Sequence, residues 1–189
     1  MKKTNLAIFL SGTGSNFKSI SEACLKPDYP ARIKIVICDR DCNGYNISKK
    51  LQYKTILIKH LNDQFAFENK VTILLKKHQI DLICLAGFMK ILSKRIVNKY
   101  KNKILNIHPS LLPKYKGLNT HKRVLKNKEK FTGCTVHLVN TKLDSGKIIL
   151  QKRIKVLKKD NEGSLSKRVL KIENLTYPQA IKKFISSNL

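Results

Sequence analysis

Three observations predict an α/β fold built on a mostly parallel sheet wrapped by helices. Apolar runs of strand length alternate with segments of helical period over the first hundred residues. A glycine-bearing turn, "SGTGSN", joins the first of those runs to the first helical segment. The 189 residues, 42 % of them hydrophobic, suit one domain, 1–189, with a sizeable core.

The elements follow in order. Leu6–Leu10 is the first buried strand; its apolar run is too short for a signal peptide and no small-residue cleavage site follows. Asn16–Leu25, Gly44–Leu51, Gln64–His78 and Ser93–Lys99 have helical spacing. Ile33–Cys38, Thr55–Ile58, Leu82–Ala86 and Ile104–Ile107 are short apolar runs between them and complete five strands. An irregular stretch after Ile107 contains Pro109 and Pro113, and the Leu112–Pro113 bond is a candidate for the cis form. Lys122–Lys128 forms a short helix. "GCTVHLV" and "IILQKRIKV" then form two strands joined by "NTKLDSGK", whose Asp-Ser-Gly is a turn signal. They extend the sheet in mixed orientation. Ser164–Ser186 is a closing helix, interrupted near Tyr177-Pro178 by the missing proline N–H. The whole is a Rossmann-like α/β sheet with mixed strands in its C-terminal part. No repeat, linker or low-complexity segment divides it, and no apolar run nears the roughly 20 residues that span a bilayer.

The net charge of +27 has two readings. Polyphosphate attracts basic surfaces, so one is a nucleic-acid-binding module without catalysis. The other is compositional drift. Only six of the 39 basic residues are Arg (at 32, 40, 95, 123, 153 and 168), and the 33 lysines lie in every segment. Base readers lean on arginine and cluster their charge on one face, so dispersal favours drift. Cys24, Cys38, Cys42, Cys84 and Cys134 are odd in number, form no CxxC and lie mostly in apolar runs, as reduced thiols of a cytoplasmic protein do.

Gly12 and Gly14 permit a tight turn, and Ser15 or Asn16 is placed to cap the helix that follows. Free N–H groups at such a helix start favour an anion, often phosphate. A purely structural turn explains the glycines equally well: Phe17 stands where a dinucleotide fingerprint needs its third glycine, and no Lys-Ser/Thr pair completes a P-loop.

Asn106 and His108 are two apart on a strand and share a face. Pro109 ends the strand after them, so the pair stands at a carboxyl strand end, where α/β sheets bind ligands. A carboxamide can donate to a developing oxyanion and an imidazole can move a proton near neutral pH. Asp144, in the turn between the last two strands, could orient His108 and raise its pKa. The alternative is a histidine satisfied by backbone and an aspartate that only makes the turn. For a metal there is little: Cys134 and His137, three apart on a strand, face opposite sides, and His60, His78 and His121 have no partner at ligand spacing.

"SGTGSN", "LAGFMKILS", "ILNIHPSLLPKYKGLNTH" and "VHLVNTKLDSGKIILQ" together resemble the phosphoribosylglycinamide formyltransferase family, in order from about residue 5 to about residue 185. The resemblance implies transfer of the formyl group of 10-formyltetrahydrofolate, a co-substrate, to the amine of glycinamide ribonucleotide in purine synthesis, with no metal. It implies Asn106 as oxyanion donor, His108 as general acid or electrostatic stabiliser, and Asp144 as the group that holds the imidazole. It implies that Gly14, Ser15 and Asn16 bind the substrate phosphate and that Glu173, with Leu170, Lys171 and Ile172, contacts the nucleotide. It implies that Met89, Lys90, Ile91 and Leu92, with Asn140, Thr141, Lys142, Leu143 and Asp144, surround the pterin, and that the loop after His108 is a mobile flap beside the site. The resemblance also implies folate contacts for Asn106 and for Gln64, which stands where relatives often place an arginine near the folate tail; Lys90 replaces a common arginine, and Thr135 stands for a frequent serine. The rival within the formyl-folate group is a hydrolase that delivers the formyl to water; such relatives carry an extra N-terminal domain, whereas the first strand here begins at about residue 5. A formyltransferase acting on initiator tRNA would continue into a second domain.

Overall fold

The computed structural model describes residues 3–59 and 63–187, so His60 lies outside the described residues. Among the described residues the chain runs β1 (Thr4–Leu10), α1 (Ser15–Cys24), β2 (Ala31–Cys38), α2 (Asn43–Lys50), β3 (Thr55–Leu57), α3 (Gln64–Lys77), β4 (Leu82–Leu85), α4 (Lys94–Lys99), β5 (Ile104–His108), α5 (Thr120–Lys126), β6 (Phe131–Leu138), β7 (Ile148–Lys155) and α6 (Glu162–Ser186). One sheet has the order β3-β2-β1-β4-β5-β6-β7. Pairing is parallel from β3 through β5 and antiparallel for β5–β6 and β6–β7. The expected α/β class with mixed C-terminal strands is the fold observed.

The strand side chains alternate between two cores. Leu6, Ile8, Leu10, Val36, Cys84, Leu105 and Ile107 pack under α1 and α6 against Phe17, Ile20, Val169, Tyr177 and Ile181. Ala7, Phe9, Ile35, Ile37, Ile83 and Ile104 face the other way, toward Phe67, Val71 and Leu75 of α3 and Ile96 of α4. Being covered on both faces explains why the parallel strands are nearly continuous apolar runs. By the same alternation Asn106 and His108 follow Ile104 on the α3–α4 side of β5.

Two expectations are corrected. α6 is one continuous helix of 25 residues with Pro178 inside it, not a helix interrupted at Tyr177-Pro178. An internal proline costs about 3 kcal/mol. Beyond it Ile181 and Ile185 are buried, at about 1.5–3 kcal/mol each. The fully buried Tyr177 hydroxyl also donates to the carbonyls of Leu85 and Leu105 at 3.1 and 3.0 Å, fastening the helix to β4 and β5. Packing therefore outweighs the proline. The short helix after the irregular loop is Thr120–Lys126, two residues earlier than expected; its N-cap, Asn119, has a left-handed backbone with φ 55°. The Leu112–Pro113 bond is cis.

Candidate active site

β1 and β4 are neighbours in the sheet, but the chain leaves β1 toward β2 on one side and β4 toward β5 on the other. At such a reversal the connections after adjacent strands diverge and leave a crevice at the carboxyl ends. Three segments meet there: residues 11–14 after β1, residues 86–93 after β4, and the end of β5.

In the first segment Gly14 has φ 80° and is the N-cap of α1, with no side-chain cap. The expectation that Ser15 or Asn16 caps the helix is not met: the left-handed glycine makes Ser15 already helical, and Asn16 is turned inward. A Cβ on Gly14 would lie 2.6 Å from the Gly44 Cα, where the start of α2 packs against the turn and the Gly44 N–H donates to Gly12 O at 2.9 Å. Gly14 is therefore required twice, by backbone angle and by space. Gly14→Val is expected to lower folding stability by roughly 2 kcal/mol or more, read as a fall in Tm. The amides of the first helical turn have no intrahelical acceptor, which suits an anion. Buried Asn16 donates from Nδ2 to Glu173 Oε2 at 2.8 Å, while its Oδ1 has no hydrogen-bond partner among the described residues. Burial pushes the Glu173 carboxyl up, against the opposing donation from Asn16. Of the neighbours expected beside Glu173, Leu170 is one turn back on the same face of α6 and Ile172 packs against the core. Lys171 is exposed, about 200° round the helix from Glu173, and is not brought to the site with it.

At the end of β5, Asn106 lies opposite His137 of β6, and His108 opposite Thr135. His137 Nδ1 is 2.9 Å from Leu138 O, and since a carbonyl only accepts, the proton is on Nδ1. The Nε2 lone pair then accepts from Asn106 Nδ2 at 3.3 Å, which sets the orientation of the carboxamide. The second N–H of Asn106 is left for a ligand. His108 Nε2 donates to Tyr115 O at 2.8 Å, and its Nδ1 is 3.3 Å from Asp144 Oδ2. Both ring nitrogens therefore face oxygen acceptors, an arrangement that the imidazolium satisfies fully and the neutral ring only half. Burial opposes the charge and prevails: His108 is held below its ordinary pKa, although Tyr115 O and Asp144 both raise it. Asp144 thus raises the His108 pKa as expected, and it is burial that carries the net value below the ordinary one. Asp144 also accepts from the Gly117 N–H at 2.9 Å, and its Oδ1 is 3.6 Å from His137 Nε2. Burial raises the Asp144 carboxyl, but the hydrogen bond from the Gly117 N–H and the neighbouring His137 and His108 rings together carry it below the usual carboxylate range.

The loop over this cluster is tied down. Tyr115 has a left-handed backbone, φ 60°, which turns its carbonyl to His108. Its hydroxyl donates to Glu129 at 2.8 Å, and the Arg123 guanidinium stacks on its ring while donating to Lys116 O at 2.6 Å. Thr135 Oγ donates to Ser110 O at 2.6 Å and accepts from the Leu112 N–H at 3.1 Å.

In residues 86–93 the Met89 N–H donates to Ser11 Oγ at 2.9 Å, and Gln64 Nε2 donates to Ile91 O at 2.9 Å. Met89 and Ile91 are exposed, Lys90 is half-buried and Leu92 is buried in the core. Asn140, Thr141, Lys142 and Leu143 form the exposed turn that delivers Asp144, with the Lys142 N–H donating to Asn140 Oδ1 at 2.9 Å. The structure thus gathers Asn106, His108 and Asp144 and adds His137, which the sequence reading passed over. The antiparallel return of β6 alongside β5 is the signal that finds it.

Residues 4–181 match the family model described as formyl transferase. The chain is 38 % identical over its whole length to phosphoribosylglycinamide formyltransferase of Haemophilus influenzae, of which it spans 90 %. It is also 38 % identical to the human trifunctional purine biosynthetic protein adenosine-3, but spans only 19 % of that protein. The crystal structure of phosphoribosylglycinamide formyltransferase from Brucella melitensis superposes with a TM-score of 0.93 at 40 % identity, covering 97 % of this chain and 96 % of that one. With the family model spanning nearly all of the sheet and full-length relatives well above 30 % identity, this chain belongs to the phosphoribosylglycinamide formyltransferase family.

Proposed function

We propose that the chain, as a single domain over residues 1–189, transfers the formyl group of 10-formyltetrahydrofolate to the amine of glycinamide ribonucleotide. The observation that carries this reading is the Asn106–His137–His108–Asp144 cluster at the carboxyl end of β5, set between a helix-start anion site and an exposed loop with apolar side chains. The nucleotide's phosphate lies on the amides at Gly14, Ser15 and Asn16, with Glu173 beside it. The folate lies along residues 89–92 and 140–143. The amine lone pair attacks the formyl carbon, and the C=O pair moves to oxygen. Asn106 donates its free N–H to that oxyanion, and the His108 imidazolium, held by Asp144, adds positive charge nearby. The bond from carbon to N10 then breaks; the amine loses one proton and N10 gains one. With both ring nitrogens of His108 engaged by the protein, its part in this arrangement is electrostatic. Direct protonation of the folate by His108 requires Tyr115 O to withdraw from Nε2.

The test is to follow tetrahydrofolate release from 10-formyltetrahydrofolate with and without glycinamide ribonucleotide. Release that depends on the nucleotide is expected; release in its absence would make the chain a hydrolase. The reading places the enzyme in the cytoplasm, which is supported by five free cysteines. It assigns no specific role to nucleic acid. The +27 charge is dispersed lysine, so retention on DNA is expected at low salt and is expected to fade by about 0.15 M. Sequence-selective retention above that salt would contradict the dispersed-charge account.

A further inference from the structure

Glu68 is 1 % exposed on the inner face of α3, between the core residues Phe67 and Val71. A carboxylate taken out of water is costly unless it is paired and hydrogen-bonded. All of its partners lie on one short segment and on its own helix. Oε1 accepts from the Ser93 N–H at 2.7 Å and from Gln64 Nε2 at 3.1 Å; Oε2 accepts from the Ser93 hydroxyl at 2.5 Å and lies 3.6 Å from the Arg95 guanidinium. Gln64 is one turn before Glu68 on the same face, and the two hydrogens of its Nε2 bridge Glu68 and Ile91 O.

Residues 86–93 belong to no helix or strand. The Ala86 N–H donates to Phe9 O at 2.8 Å and Gly87 O accepts from the Ser11 N–H at 3.2 Å, so main-chain bonds to the end of β1 fix the start of the segment but not residues 89–93. They are held at discrete points: the Met89 N–H on Ser11 Oγ, Ile91 O on Gln64, and Ser93 on Glu68. Two of these three points run through the Glu68 carboxylate. We infer that Glu68 is a positioning residue for the folate site: it touches no substrate, but it fixes the backbone of residues 89–93 in the shape that receives the pterin. This rests on the reading that folate lies along residues 89–92. It gives Gln64 a definite part as well, as the link from Glu68 to Ile91 rather than as a contact to the folate tail.

Glu68→Gln in the full chain keeps the side chain's size and one acceptor oxygen, but loses the charge and sets an NH₂ against donors. Expected are a folate KM raised about tenfold, about 1.4 kcal/mol, a nucleotide KM within about twofold of the parent, and an unchanged kcat at saturation of both substrates. Amide exchange at Met89 and Ser93 should quicken, with a modest fall in Tm from the weakened buried network. An unchanged folate KM in the variant, with normal turnover by the parent, overturns the inference alone. Parallel rises in both KM values overturn it too, because they mark Glu68 as merely structural. A parent protein that binds no folate brings down the formyltransferase reading and this inference with it.

Discussion

Asn106→Ala is expected to lose on the order of 10²–10³ in turnover, the scale for removing one oxyanion donor. The residue is half-buried on β5, its carboxamide oriented by a single imidazole lone pair. Removing the amide takes away a donor that matters only when negative charge has grown on the formyl oxygen. kcat should therefore fall while the nucleotide KM changes little, since the proposed phosphate site is the turn after β1, away from Asn106. The supporting histidine predicts a smaller effect of the same kind. His137→Ala leaves Asn106 in place but frees its carboxamide to rotate, and a loss of about tenfold is expected from a mispositioned donor. Steady-state kinetics of both variants check this. A larger loss from His137→Ala than from Asn106→Ala would put the chemistry on the imidazole instead.

The second large effect is expected at Asp144. In the proposed arrangement the catalytic charge is the His108 imidazolium, which burial disfavours and Asp144 supports. Activity should thus have a limb that falls as pH rises through the His108 pKa, below the ordinary histidine value of 6.5. Asp144→Asn keeps the shape and removes the charge. It should move that limb to still lower pH and cut turnover at neutral pH by on the order of 10²-fold or more. Folate binding should survive, because the proposed folate contacts of residues 140–143 do not use the Asp144 charge. His108→Ala should be as damaging, and the double variant little worse than either single one, since each residue acts through the other. Profiles of kcat against pH for the parent, both single variants and the double variant check this. Losses that multiply would show that the two act independently.

The sheet was legible because its parallel strands are buried on both faces and therefore stand out as apolar runs. Asn106 and His108 were legible for the opposite reason: they are polar residues two apart at the end of such a run. What could not be read locally depends on contacts distant in sequence. His137 joins the site only through the register of β6 against β5. Proline at 178 ends a helix on local chemistry, yet α6 continues because Tyr177, Ile181 and Ile185 are buried around it. The net pKa of His108 depends on burial under a loop whose carbonyl is aimed by a left-handed Tyr115, and no pattern announces that. Glu68 looks like an ordinary helix acid until its helix packs against residues 91–95.

The most direct measurement follows the formyl carbon itself. With that carbon labelled in 10-formyltetrahydrofolate, the parent protein should place the label in formylglycinamide ribonucleotide, one for each tetrahydrofolate released, and Asn106→Ala should slow both together. Label recovered as formate, or folate released at the same rate without the nucleotide, would contradict direct transfer between two substrates at this site.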